Sequence, residues 1–293
     1  MHRSPLWSLA LLCAPLPARA QLPAVWDSVG RVLQASPTAV GGYVRFNFPR
    51  RDLTLRVGDV AVSSRLALGA WAGFAGTAQR AVVMGDLVVT AAELLPVEAA
   101  IDSQHLAITG VHNHLLGESP RITYVHFHGE GSALDLARRL DRVLARTATP
   151  RGMAAPASAP VTIDTALVFG SLGARGPASG NVAQVSLVLV TAPVTLHGQT
   201  LPALLAAGSP INVQAVSTDR FVATGDFAVT GDRLAPLTGA LTAAGITITS
   251  VHNHLVGEAP PLYFVHFWAD GHALEVLAAL AAAIDSARAP AAR

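Results

Sequence analysis

Val111-His112-Asn113-His114-Leu115-Leu116-Gly117-Glu118 reappears 140 residues later as Val251-His252-Asn253-His254-Leu255-Val256-Gly257-Glu258. Each copy is followed by a proline at the same offset, Pro120 and Pro260, and then by Val125-His126-Phe127 and Val265-His266-Phe267. Agreement over that length means an internal duplication, so whatever one half of the chain builds, the other builds again. The correspondence spreads outward from the octapeptide. Met84-Gly85-Asp86-Leu87 matches Thr224-Gly225-Asp226-Phe227, Pro96 matches Pro236, and Gly58 matches Gly198. Repeat 1 is expected over 21–148 and repeat 2 over 161–293. An Ala/Pro/Ser-rich linker joins them at 149–160.

The same pattern of apolar residues runs through each half. Ala81 to Thr90 is rich in β-branched residues, Ala91 to Ser103 reads as a helix, and Leu106 to Leu116 alternates as a strand. Gly117 to Pro120 marks a turn, and Ile122 to His128 returns as a second strand. Leu134, Leu136, Leu140, Val143 and Leu144 then recur at helical spacing. Strand, helix, hairpin and helix in that order indicate an α+β fold. Each of two pseudo-symmetric tandem repeats is expected to form a small, mostly antiparallel sheet with helices on one face. The halves are expected to pack as a pseudo-twofold pair.

Composition bounds the address and the chemistry. Residues 1–20 have the form of a secretory signal: Arg3, an apolar stretch from Leu6 to Leu12, and the small-residue site Ala18-Arg19-Ala20. The apolar stretch is shorter than the ~20 residues a membrane span needs. The lone cysteine, Cys13, would leave with this segment. Bulky Leu12 before it makes a poor lipobox and argues against a lipid anchor. A periplasmic or secreted product without disulfides is expected, with no transmembrane segment after cleavage. The 20 basic residues are all arginine. Without lysine there is no Schiff base and no pyridoxal cofactor. Arginine and acid nearly balance, which excludes a general nucleic-acid binder. No phosphate-binding loop, dinucleotide fingerprint or G-x-S-x-G elbow is present.

The repeated histidines carry the chemistry. Residues two apart on a strand share a face, so His112 and His114 should point together. A tight turn near Ser119 would bring His126 opposite one of them. Cross-strand neighbours lie ~5 Å apart and same-strand neighbours ~7 Å apart. Three imidazoles so placed can converge on a metal at nitrogen distances of ~2.0–2.1 Å. The expected ligand sets are His112, His114 and His126 in one half and His252, His254 and His266 in the other. Glu118 and Glu258 would serve as fourth ligands or as bases toward a metal-bound water. The cofactor would be zinc or another divalent transition metal, and the activity, if any, metal-dependent hydrolysis. Two other readings fit the same residues. The histidines can be buried neutral and hydrogen-bonded, joining the halves structurally. Alternatively, the repeats can form a non-catalytic module that binds a small molecule or envelope component between them. His128 has no counterpart in repeat 2, where Trp268 stands, so the two sites need not be equal.

Two look-alikes fail. The letters His-Asn-His do not make the nuclease that shares them, whose residues are scattered over a longer fold. The H-x-H-x3-E spacing resembles a first cupin motif, but no Gly-rich second motif follows. Asp86 and Asp226, each after a glycine, read either as a bulge or as carboxylates that orient imidazoles. Glu93 could join them in repeat 1 only, since Arg233 replaces it in repeat 2. Arg45, Arg50, Arg51 and Arg56 could meet an anion, but read better as solvated charges on an edge strand. Gly170-Ser171-Leu172-Gly173 reads as a flexible loop.

Pro49-Arg50-Arg51-Asp52-Leu53, the two Gly-Asp strands, both His-Asn-His-Leu hairpins and the trailing His-Phe resemble the LppY/LpqO family of bacterial exported proteins. That resemblance covers most of the chain and implies export, but no reaction, because the family is a domain of unknown function.

Overall fold

The structure, a computed structural model, describes residues 22–153 and 158–288. The signal assigned to 1–20 and the middle of the linker lie outside the described residues. Repeat 1 runs α1 (Ala24–Leu33), β1 (Thr38–Val40), β2 (Tyr43–Pro49), β3 (Leu55–Val57), β4 (Val60–Val62), α2 (Ser64–Ala67) and β5 (Gly69–Gly76). It continues with β6 (Ala81–Thr90), α3 (Ala91–Ser103), β7 (Ala107–His112), β8 (Glu118–Ser119), β9 (Ile122–Gly131) and α4 (Ala133–Leu144). Repeat 2 runs through the same order: α5 (Thr165–Leu172), β10 (Ala178–Ser179), β11 (Val182–Val188), β12 (Thr195–Leu196), β13 (Gln199–Thr200), α6 (Ala203–Ala206) and β14 (Gly208–Ala215). It ends with β15 (Arg220–Thr230), α7 (Gly231–Ala243), β16 (Thr247–His252), β17 (Glu258–Ala259), β18 (Leu262–His272) and α8 (Ala273–Arg288).

Each repeat forms a six-stranded antiparallel sheet, in the orders β1-β2-β5-β6-β9-β7 and β10-β11-β14-β15-β18-β16. The helices cover one face. In α4, Leu136, Ala137, Leu140, Val143 and Leu144 form one buried stripe, and the Ser132 hydroxyl caps its first turn at the Asp135 N–H. Thr90 and Glu93 cap α3 reciprocally, with Glu93 Oε2 accepting from the Thr90 N–H at 2.8 Å. Gly170 to Leu172 belong to α5, and Gly173 closes it in the left-handed conformation with φ 64°. This segment is a helix end rather than a loop.

The other face of each sheet is covered by the other repeat. The small sheet β3-β4-β8 with α2, and its counterpart β12-β13-β17 with α6, lie at the joint. Leu196, Leu201 and Leu205 of repeat 2 pack with Tyr43, Ala75, Val82 and Met84 of repeat 1. In return, Val222 and Trp268 of repeat 2 join the core of repeat 1. A Cβ on Gly73 would lie 2.5 Å from the Leu205 side chain, so glycine there lets α6 approach without displacing that leucine. Gln184, Asn212 and Gln214 donate their side-chain amides to the carbonyls of Arg65, Leu66 and Ala61. With both faces covered, β6 is buried along nearly its whole length. That burial explains why its sequence is a continuous apolar run interrupted by one carboxylate, rather than the alternation of a half-solvated antiparallel strand.

The hairpin departs from the spacing-based expectation. β7 ends at His112, which pairs with Tyr124, and Gly110 pairs with His126. Residues 113–117 leave the sheet, and β8 then pairs with β3, Val57 opposite Glu118. This third partner pulls the connection out of a tight turn and shifts the register. The one-residue bulge falls at Thr109 and Thr249, between Ile108/Gly110 and Ile248/Ser250. Pairing through Gly85-Asp86 is regular, so the bulge reading of that dipeptide does not hold. Gly85 and Gly225 are required for a different reason. A Cβ there would lie 2.2 Å from the Trp71 carbonyl oxygen or 2.1 Å from that of Pro210.

Arg50 is not a solvated edge charge. It is 1% exposed at the end of β2, an interior strand, and donates to Glu93, Asp52 and the Val88 carbonyl. Burial alone would push the Glu93 carboxyl up, but hydrogen bonds from Arg50 and from the Thr90 and Ala148 N–H groups hold it below the usual range. Glu93 is therefore a cap and an ion-pair partner, not a companion of Asp86. Breaking a buried pair from one side costs about 3 kcal/mol or more. Arg50→Leu, which places here the residue type found at Leu189 in repeat 2, is expected to destabilise by that order. Urea unfolding at unchanged slope measures it, and a loss near that of a surface pair, below about 1 kcal/mol, would show the network to be idle.

Candidate functional site

On β9, alternation sets Tyr124, His126, His128 and Glu130 on the face turned toward the other repeat. Asp86 lies opposite His126 on β6, and Asp226 lies opposite His266 on β15. His112 ends β7 on that face, and His114 reaches it from the loop. The two repeats bring these faces together. His112 stacks on His252 with ring centroids 3.7 Å apart, and His114 and His126 lie tilted against His266 and His254 at 3.8 Å and 3.9 Å. Tyr124 and Phe264 back His114 and His254 at 3.7 Å and 3.3 Å. A Cβ at Gly110 would lie 3.0 Å from the Asn253 carbonyl oxygen and 3.4 Å from ring carbons of His126 and His252. Glycine there lets the loops close on each other. The Thr109 hydroxyl, at the bulge, donates across the joint to the His254 carbonyl at 2.7 Å.

Donor groups form across the repeats. His112 and His126 converge with His252, and His112 and His114 with His266. His252, His254 and His266 converge within repeat 2. In each group the candidate nitrogens lie within 4.8 Å of one another. The repeat 2 set matches the spacing-based grouping. The set His112, His114 and His126 is divided instead between two groups, each completed by a histidine of repeat 2. The register shift and the packed faces account for this. Glu118 and Glu258 stand outside all three groups. Each is buried and turns back to accept the main-chain N–H four residues on, Ile122 at 3.3 Å and Leu262 at 3.1 Å.

The tautomers are fixed by the main chain. His126 Nδ1 lies 3.1 Å from the Gly85 carbonyl oxygen, and His266 Nδ1 lies 3.1 Å from that of Gly225. A carbonyl only accepts, so each Nδ1 carries the proton and each Nε2 presents a lone pair to the cluster. This arrangement is the usual support for a ligating imidazole. Buried nitrogens without a hydrogen-bond partner include both of His112 and Nε2 of His114, His126, His252, His254 and His266. The Asp86 carboxylate lies 3.3 Å from His114 Nε2 and 4.0 Å from His112 Nε2. Asp226 lies 3.7 Å from His254 Nε2 and contacts His266 Nδ1. Both aspartates thus attend the imidazoles, as the orienting reading of Gly-Asp expected. Among the described residues, neither has an arginine partner. Two buried carboxylates and six imidazoles therefore share a site that lacks a fixed positive charge.

Burial, and secondarily the neighbouring imidazoles, push His112, His254 and His266 below the usual histidine range and bring His252 down to about 2. Burial also lowers His126, against the opposing pull of Asp86. Burial and the charge of Asp86 raise Asp226 well above the carboxylate range. The carbonyls of Gly85 and Gly225 and the aromatic backing of Tyr124 and Phe264 had no distinct sequence signal. The period-two pattern Tyr124-His126-His128 is the nearest hint.

A family profile matches the chain twice, over residues 27–146 and 167–286. The chain belongs to DUF1529, described as Domain of Unknown Function (DUF1259). Both DUF1529 copies contain the His-Asn-His loop and its Gly-Asp partner, so one centre is built from two family domains. No curated protein matches the chain. Among solved structures, a trimeric bacterial microcompartment shell protein, PduB, is similar at 11% identity and a TM-score of 0.23, with 87% of this chain and 91% of that one covered. EtuB from Clostridium kluyveri is similar at 13% identity and a TM-score of 0.21, with 87% and 90% covered. Likeness at that level has no bearing on the function of this DUF1529 chain.

The lowered histidines set the response to acid. Unfolded histidines protonate near 6.5, whereas the folded ones do so only at lower pH, so the unfolded state binds more protons below that point. Stability is then fully present above about pH 6.5 and falls as pH drops, by about 1.4 kcal/mol per pH unit for each such histidine. Asp226 acts in the opposite sense above about pH 4, and one carboxyl does not cancel five imidazoles. Melting temperature is expected to fall steeply from pH 7 toward pH 5. A flat profile through pH 5 would contradict buried neutral imidazoles.

Proposed function

We propose that this protein binds a divalent transition metal at the joint of its two repeats, with His112, His114, His126, His252, His254 and His266 as the pool of ligands. The observation that carries this reading is the set of lone pairs. Main-chain carbonyls hold the Nδ1 protons of His126 and His266, and the Nε2 atoms of all six histidines are buried without hydrogen-bond partners. Imidazole nitrogen with carboxylate oxygen suits zinc, copper, nickel or cobalt better than calcium or magnesium. A cation would also supply the positive charge that Asp86 and Asp226 lack. The group His112, His114 and His266 has Asp86 beside it, and the group His252, His254 and His266 has Asp226. Depressed proton affinity favours loading at neutral pH, because protons compete poorly.

A closed binding centre is favoured over a hydrolytic one. The imidazoles lie between two packed sheets, and Glu118 and Glu258, the residues suited to act as bases, are hydrogen-bonded to the main chain. Should the centre turn over a substrate, those glutamates remain the groups to substitute. The signal-like residues 1–20 and the LppY/LpqO resemblance support placement in the periplasm or outside the cell. Among the described residues no helix is long and apolar enough to cross a membrane.

Elemental analysis of the purified chain after repletion with zinc or copper tests the proposal. The chain is expected to retain about one equivalent or more, and His112→Ala with His252→Ala to lose most of it. Retention below about a tenth of an equivalent would overturn specific binding. If the unaltered chain retained no metal and the double variant lost several kcal/mol of stability, the histidines would be structural fasteners between the repeats.

A further inference from the structure

The histidine centre lies between the two sheets, with His114 and His252 partly exposed, and donor side chains continue from His126 toward the surface along β9. On β9 the alternation that presents His126 also presents His128 and Glu130 on the same face, at steps of ~7 Å. His128 lies directly across from Met84 on β6, as His126 does from Asp86. His128 Nε2 is buried without a hydrogen-bond partner and lies 3.6 Å from Glu130 Oε1. His197, on the β12–β13 turn of repeat 2, reaches over the joint and places Nδ1 2.6 Å from the same oxygen. Side-chain exposure falls along the series, from 64% at His197 to 44% at Glu130 and 12% at His128. His126 is 1% exposed. The result is a graded row of nitrogen, oxygen and thioether donors leading from solvent to the centre.

Repeat 2 has no such row. Trp268 replaces His128, Thr224 replaces Met84, and the carboxylate at the outer end, Asp270, is held by Arg220 at 2.9 and 2.8 Å. Arg220 also grips Asp59 from the β3–β4 turn at 2.6 and 3.0 Å. The pseudo-symmetric position is thus a fixed ion-pair clamp with no metal donor behind it. The two ends of the joint differ in chemistry although the strands that build them match.

We propose that His197, Glu130, His128 and Met84 form a loading path by which divalent d-block cations move from solvent into the histidine centre. Glu130 and His197 capture the hydrated ion. His128, with the soft sulfur of Met84 beside it, takes the ion over by ligand exchange and passes it to His126 and Asp86. The donors act in turn, so each needs to bind only weakly. The path rests on the metal-centre reading, and the repeat 2 end stays shut.

The test is the rate of Co2+ uptake by the metal-free full chain, followed by its visible d–d absorbance. His197→Ala, which alters an exposed turn, and His128→Ala are each expected to slow uptake by about tenfold, the change that a barrier higher by about 1.4 kcal/mol produces. The final absorbance should be unchanged. Arg220→Ala, at the closed end, is expected not to slow it. If His197→Ala leaves the rate unchanged or raises it, the path is overturned, and a raised rate identifies His197–Glu130 as a simple latch between the repeats. Slowing by Arg220→Ala would equally overturn it. Failure of the unaltered chain to develop the d–d bands refutes the centre itself, a different outcome from a centre that fills at the same speed with and without His197.

Discussion

The second face of each six-stranded sheet is closed by the other repeat, and the rest of the structure depends on that closure. An antiparallel sheet with helices on one side ordinarily leaves its other side to water. Here that side holds imidazoles and a carboxylate in each copy, and the pseudo-twofold packing removes both sets from solvent together. Buried polar groups cost free energy unless they are paired. The main chain satisfies some of them, at the carbonyls of Gly85 and Gly225. The Ser250 hydroxyl meets His252 Nδ1 at 3.1 Å, and the Nε2 atoms have only one another and two aspartates nearby. Such a site is stable when neutral and rich in lone pairs, the state in which imidazole accepts a metal.

The two copies keep the centre and differ in how they cover it. Repeat 2 presents Gln184, Asn212 and Gln214, whose amides bond to the backbone around α2. The corresponding positions of repeat 1 hold Arg45, Gly73 and Ala75. Arg45 stacks over Trp71, and Gly73 makes room for Leu205. One half of the joint is therefore hydrogen-bonded and the other packed by apolar contact. At other positions the polar residue lies in repeat 1 instead: Arg50, buried among carboxylates, against Leu189, and His128 against Trp268. Two halves related by a dyad must each fit the other's surface, so a change in one selects a change in the other. Asymmetry at the rim follows while the middle stays alike.

Much of the architecture was legible in the chain. The duplication, the antiparallel sheets with helices on one face, and strands and helices such as 81–90 and 91–103 follow from periodicity and capping residues, which act over a few positions. The hairpin register did not follow, because β8 is drawn away by β3, some sixty residues earlier, and spacing alone cannot register a third partner. Arg50 was misread for a related reason. A run of arginines next to proline reads as an exposed edge, and only the fold, which brings Glu93 of α3 and the Val88 carbonyl of β6 to Arg50, buries it. Asp86 and Asp226 were legible only as one of two readings, and the pairing of β6 with β9 and of β15 with β18 decided for carboxylates beside the imidazoles.

By itself, the sequence marked the six repeated histidines for the centre and offered two aspartates as companions, but it also set Glu118 and Glu258 among them, which the fold turns back to the main chain. Only the tertiary structure decided which of them meet. Local periodicity fixes direction within an element, whereas the distance between His112 and His252, or His114 and His266, depends on how two whole sheets stack. That stacking is set by Gly73, Gly110, Leu205 and the other small or apolar residues of the joint, which carry no chemical signature of the site they close.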